Sequence, residues 1–425
     1  MKLNYKRTML VGFAFFLICA FWQAYDIVVP LTMKYKFGMK ELSSGIVMAL
    51  DNIFAVFMLP LFGALSDRAN FKRGRRTPFV LVGTIFAAVL FVTMGFMPNV
   101  GLFVMVLLFV LISMASFRSP AVALMPDVTV KPLRSKANAV INLMGTAGGI
   151  IVLGLGILFK TNEAGKTDFT FYMMAVAGLM LVSLLVFMLT VKETAWAKEM
   201  QLDTVKYCID ENESETSGMK RSLNSAEMKS LILILASVVL WFMGYNAVTS
   251  KYAVYAHEVL SVDHNTTLML AQAAAVISYI PVGIIASKIG RKKTILGGIV
   301  LLGVAFGAAA FIKAGMPPFI MYILFCLAGI GWATINVNSF PMVVELAKVG
   351  DVGKYTGYYY TASMAAQIVT PIISGALVDE LGWWIFFPYA AVFVGLAFVT
   401  MYFVKHGDST PERVSALEAL GGTEE

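Results

Sequence analysis

Charge is scarce in this sequence. Only 14% of its 425 residues are Asp, Glu, Lys or Arg, where a soluble domain carries about 25%. Cysteine and histidine are rarer still, with three of each. Cys19, Cys208 and Cys326 lie far apart, which excludes a disulfide framework or cysteine metal box, since both need clustered thiols at set spacing. His257, His264 and His406 fall at loop or tail positions, and no nucleophile–base motif, metal box or phosphate-cradling loop accompanies them. No enzyme, resident metal or cofactor is expected. What is abundant is apolar: 59% of residues are hydrophobic and the mean hydropathy is +0.77, the composition of an integral membrane protein.

A bilayer span needs about 20 apolar residues, and twelve candidates occur. The first half supplies Thr8–Pro30, Leu42–Leu65, Pro78–Met97, Gly101–Met125, Ala137–Phe159 and Phe169–Val191. The second supplies Met228–Ser250, Asn265–Ser287, Thr294–Ala314, Pro317–Leu346, Tyr355–Val378 and Trp383–Phe403. The first follows Lys2, Lys6 and Arg7 as a signal peptide would. Its apolar run is longer than a cleavable segment and no A-x-A site follows, so it reads as a transmembrane helix. The implied fold is an all-α membrane protein of twelve transmembrane helices in two pseudo-symmetric six-helix bundles. Residues 1–192 form the first bundle, 193–226 a solvated cytoplasmic linker, and 227–425 the second bundle with a short cytoplasmic tail.

Lysine and arginine crowd alternate connections, leaving Lys34, Lys36, Lys40, Lys160, Lys166, Lys251 and Lys313 for the other side. The positive-inside rule then places both termini and the central linker in the cytoplasm, as expected in a cell membrane. The net charge of +7 is accounted for by that topology, so the expected partners are the lipid bilayer and a small molecule, not nucleic acid. A monomer is expected.

The halves repeat one another. The basic turn GALSDRANFKRGRRTPF, Gly63 to Phe79, recurs more weakly as GIIASKIGRKKT, Gly283 to Thr294. Asp127 precedes Lys136 by nine residues, and Glu345 precedes Lys354 by the same nine. Such duplication marks one membrane unit written twice, with the site to be sought between the copies. Polar residues inside the spans also keep a period of three. The third, sixth, ninth and twelfth spans contain no Asn, Gln, Asp, Glu or Arg, while the other eight do. Polar groups in hydrocarbon face a bundle interior or a wet cavity. Eight helices are therefore expected around a wet space and four against lipid, which is the section of a transporter.

Asp26, Asp51 and Arg118 are the intramembrane charges. Each costs about 2.5–3.5 kcal/mol at mid-membrane, so each calls for a partner or a function. Either they carry a coupled cation, with Arg118 setting the carboxylate's affinity, or they form a static ion pair between helices. Trp22, Gln23 and Tyr25 accompany Asp26, and Trp22, Tyr25 and Asp26 share one helix face. Trp241, Tyr245, Asn246, Gln272, Trp332, Asn336 and Gln367 supply further rings and amides at helical spacing. Rings stack on C–H faces and amides read hydroxyls, so this set suits a sugar; aromatic packing is the plainer alternative. At the helix ends, Asp67, Arg68, Arg75, Arg76, Asp127, Arg291 and Glu345 are candidates for a charged gating network, with Asp67 and Arg68 pairing with Asp127 and its neighbours. Tyr358, Tyr359 and Tyr360 cannot all point inward. Gly145, Gly149 and Gly154 read as packing positions.

The first basic turn resembles the loop signature of the major facilitator superfamily. Its longer form, S-D-R followed after an insert by G-R-R-x-P-F, is most similar to the sucrose/proton symporters of plants and their animal and bacterial relatives. FRSPAVALMPDVTVKPLRSKANAVINLMG resembles the same group between its fourth and fifth helices. The chain departs from the plant pattern at Val122, where those proteins carry an arginine, at Leu111, near their fourth-helix aspartate, and at Ser287 in the second hairpin. Coupling through Asp26 or Asp51 is instead closer to the melibiose-type members of the glycoside–pentoside–hexuronide:cation symporters. The resemblance implies alternating-access symport of a glycoside or small oligosaccharide with a proton, or with Na⁺. The alternatives are a drug or metabolite exporter, against which the proline-free fifth span argues, and a non-transporting nutrient receptor, which usually carries a longer cytoplasmic extension.

Overall fold

The structure, a computed structural model, describes residues 3–130, 133–163, 165–206, 224–346 and 352–407. Twelve of its helices are long and apolar enough to cross a membrane. In chain order the helices are α1 (Tyr5–Leu31), α2 (Glu41–Arg68), α3 (Thr77–Gly95), α4 (Val100–Asp127), α5 (Arg134–Leu158), α6 (Thr170–Thr190), α7 (Glu193–Lys206), α8 (Ser225–Tyr255), α9 (His264–Ile289), α10 (Arg291–Ala309), α11 (Pro318–Glu345), α12 (Val352–Leu381) and α13 (Phe386–Tyr402). All but the short α7 are span candidates, so the all-α, twelve-span architecture stands.

Local sequence sets the starts. Asn4 accepts a hydrogen bond from the Arg7 N–H at 3.1 Å, and Asn99 does the same for Leu102 at 2.9 Å. Asn224 and Glu227 form a reciprocal capping box on α8. Prolines lie inside several spans, among them Pro60, Pro120, Pro281 and Pro371. Transmembrane helices tolerate them because neighbouring groups satisfy the freed carbonyls.

Two compact units result: Met1–Met39 with Leu50–Asp210, and Lys40–Ala49 with Glu211–Glu425. Their internal packing repeats. In unit one α1 packs on α5 and α6, and α3 on α4 and α6; in unit two α8 packs on α12 and α13, and α10 on α11 and α13. Aromatic side chains fill both interiors, with Phe21, Phe91 and Phe117 in unit one and Trp241, Tyr252 and Phe386 in unit two. A Cβ on Gly145 would lie 2.8 Å from Cys19 Sγ, so that glycine is a packing position between α1 and α5. Gly154 meets nothing within 4 Å and is not one.

Several expectations need correction. α1 continues through a π-helical turn, Thr32–Lys36, and α8 through another to Leu260. Lys34, Lys36 and Lys251 therefore belong to helices rather than to outer loops, and Lys251 is only 2% exposed. The second and eighth spans are the least buried of the twelve. They leave Val56, Phe57, Ile277 and Ile284 exposed. The polar run after the sixth span opens with α7, docked on unit one. The Arg7 guanidinium lies 4.8 Å from the Trp196 ring centroid and pairs with Glu199 at 3.0 Å. The rest of that run, including Cys208, and the tail from 408 onward lie outside the described residues.

Candidate functional site

In unit one two of the intramembrane charges, Asp51 and Arg118, come together. Trp22 and Tyr25 meet edge to face on α1, their ring centroids 5.2 Å apart. Arg118 reaches across from α4 to place its guanidinium 5.5 Å from the Trp22 ring centroid. Asp51, on α2, stands near enough to Arg118 and Tyr25 to act on both electrostatically. Its Oδ1 accepts from Asn52, from the backbone N–H at 2.5 Å and from the side-chain amide at 2.7 Å. Tyr25 is fully buried, yet its hydroxyl and the Trp22 indole N–H have no hydrogen-bond partner among the described residues. Buried polar atoms are rarely left so. Asp26 and Gln23, half-buried on the same helix, complete the α1 group.

In unit two Tyr245 stacks flat on Trp332, centroids 3.6 Å apart and planes within 3°, and Phe242 meets the same indole edge-on at 5.1 Å. Asn246 donates from Nδ2 to the Phe242 carbonyl at 2.9 Å. Gln272, Asn336 and Gln367 are half-buried on α9, α11 and α12. Trp241, by contrast, is wholly enclosed in the core of this unit. Of the three consecutive tyrosines, Tyr359 is buried with its hydroxyl 2.9 Å from Ser339 Oγ, while Tyr358 is exposed.

Charged residues at the helix ends pair within each unit. In unit one Arg76, 4% exposed, pairs with Asp67, hydrogen-bonds Ser66 Oγ, and holds Asp127 through Nε at 2.8 Å. Arg75 grips the same carboxylate at 2.7 and 3.2 Å, and those hydrogen bonds hold its guanidinium proton more tightly than usual. It is therefore Arg75 and Arg76, not the exposed Arg68, that bind Asp127. In unit two Arg291 pairs with Glu345 in the same way. Both turns use a glycine at positive φ, Gly74 at 118° and Gly290 at 90°.

Sequence reasoning missed four charged residues. Glu193, at the start of α7, is 3% exposed and caps α3, accepting from the Arg76 N–H at 2.9 Å, the Thr77 N–H at 2.8 Å and Thr77 Oγ1 at 2.7 Å. In unit two Lys251 Nζ lies 3.1 Å from Glu41 Oε2. Asp379 caps the start of α2, accepting from the Glu41 and Leu42 N–H groups at 2.9 and 2.7 Å. Each sits at a helix end beside a polar run, where an acid or a lysine reads as solvated.

A family model for MFS/sugar transport proteins matches residues 10–354. A stretch of 137 residues is 26% identical to the MFS-type transporter ppzB of Metarhizium rileyi (strain RCEF 4871), covering 32% of this chain and 28% of that one. Another of 148 residues is 26% identical to the sucrose transport protein SUC3 of Arabidopsis thaliana, covering 30% of this chain and 25% of that one. The matched stretches thus span about a quarter of either relative. The fold superposes on the inward-open xylose transporter XylE from E. coli with a TM-score of 0.68 at 14% identity, over 98% of this chain and 99% of that one. The match over most of its length shows that this multi-pass membrane protein belongs to the MFS/sugar transport protein family.

Proposed function

We propose that this transporter carries a glycoside or small oligosaccharide inward by symport with a cation, the proton first and Na⁺ second. The observation that carries the reading is the group formed by Trp22, Tyr25, Asp51 and Arg118 inside unit one. A carboxylate and a guanidinium at membrane depth are costly, and here they adjoin two buried polar atoms that have no hydrogen-bond partner among the described residues. Such a set can release and take up a cation when a hydroxyl-rich molecule arrives to complete its hydrogen bonds. Asp26 and Asp51 are the candidate carriers, and Arg118 serves either the carboxylate or the sugar. The Tyr245–Trp332 stack, with Asn246, Gln272, Asn336 and Gln367, would supply the apolar platform and the hydroxyl-reading amides.

Alternating access between the bundles 1–192 and 227–425 would deliver the substrate, with both termini in the cytoplasm. The networks around Arg76 and Arg291 join helix ends within their own units, which suits locks that let each bundle move as one body. A thermal-shift screen of the purified protein against a panel of glycosides, at two pH values and with or without Na⁺, tests the reading. Stabilisation by a glycoside that depends on pH or Na⁺ supports it. A panel without effect, alongside stabilisation by a non-sugar metabolite, would reject the substrate class.

A further inference from the structure

At the end of unit two where α8 begins and α13 stops, a cleft of about 500 Å³ opens between Lys229, Ser230, Leu233, Phe403, Lys405 and His406. Its polar wall is hydrogen-bonded together. Ser230 Oγ lies 3.0 Å from His406 Nδ1 and accepts from the Lys405 backbone N–H at 3.4 Å. Lys292, from α10, donates to the Val404 carbonyl at 2.6 Å, so the segment carrying Lys405 is tied to its own bundle. Its apolar wall, Leu233 and Phe403, continues onto Ile232 and Tyr402, which are exposed. Lys229 and Lys405 are exposed on the rim, and among the described residues neither ammonium group has a carboxylate partner. The acid of that first turn, Glu227, is engaged in capping α8.

We propose that this cleft binds an anionic phospholipid, its phosphate against Lys229 and Lys405 and its acyl chains along Leu233, Phe403 and the exposed apolar surface beyond. α8 and α13 are both spans, so their ends lie where hydrocarbon gives way to headgroups. A soluble anion has no use for the apolar wall, and a neutral apolar ligand none for two lysines. Basic pockets between transmembrane helices are where acidic headgroups are held.

The test melts the purified full-length chain in detergent with added phosphatidylglycerol, added phosphatidylcholine, or inorganic phosphate. Phosphatidylglycerol should raise the melting temperature over phosphatidylcholine by about 2–4 °C. The Lys229→Gln/Lys405→Gln variant should lose that difference while melting like the parent in phosphatidylcholine, since both side chains are exposed. Lys198→Gln, on α7 of unit one, should keep it. Native mass spectra should show bound phosphatidylglycerol retained by the parent and lost by the double variant. An equal rise in the double variant, or the same rise with inorganic phosphate alone, would overturn the assignment.

Discussion

Lys251 Nζ lies 3.1 Å from Glu41 Oε2 and 3.0 Å from the Glu41 carbonyl oxygen, with the two side chains 2% and 3% exposed. Glu41 opens α2, whose first turns, through Ala49, group with unit two although the rest of that helix belongs to unit one. The ion pair and the Asp379 cap together hold this helix start against α8 and α12. Breaking one partner of a buried pair costs about 3–5 kcal/mol, because the other charge stays buried. Lys251→Met and Glu41→Leu should each lower the melting temperature strongly, and the double variant should lose far less than their sum. Thermal melts of the three variants check this; additive losses would show that the two side chains are not coupled.

Glu193 supports the basic turn from outside it. Glu193→Ala should remove the cap from α3 and cost about 0.5–2 kcal/mol, read as reduced stability and a slower transport rate. Gly74→Ala should do similar damage by a different route. The residue sits at φ 118°, and a Cβ there would collide with the Glu193 carboxylate. Strain of this kind costs about 1–3 kcal/mol. The paired variants should not be additive, since each disturbs the same contact, and a melting series decides it.

How much of this is legible in sequence follows from which signals are periodic. The spans are long apolar runs, and the Arg291–Glu345 pairing echoes Arg75–Asp127, each arginine following the turn glycine of its hairpin. The nearness of Trp22, Tyr25 and Arg118 is half legible: the first two share a helix face, but nothing in sequence says that α4 brings Arg118 over them. Glu193, Glu41 and Lys251 are illegible. They flank apolar runs, where a charge reads as solvated, and only tertiary packing buries them. Trp241 errs the other way, since its helical spacing from Tyr245 does not distinguish a lining from a core position.

If the proposed glycoside is the substrate, Trp332→Leu should weaken its binding more than its turnover. Ring stacking contributes about 0.5–1.5 kcal/mol beyond buried area, so KM for uptake should rise about 2–10-fold with Vmax little changed. Tyr245→Leu should show the same pattern, because the two rings form one stack. Uptake kinetics in vesicles separate the terms. An unchanged KM in both variants would make the stack a packing feature.

The carboxylates should separate coupling from passage. Asp51→Asn or Asp26→Asn, whichever marks the carrier, should abolish accumulation against a gradient yet spare exchange of substrate across the membrane. Arg118→Met should impair both, since the guanidinium lies over Trp22 and beside Asp51. Full accumulation in either aspartate variant would clear that residue.

Uptake of a radiolabelled glycoside into proteoliposomes, with and without an inward proton gradient, tests the central claim most directly. Accumulation above the external concentration that collapses with the gradient, or with an Na⁺ gradient in its place, is the result expected. Equilibration at the same level whatever gradient is imposed would contradict cation-coupled symport.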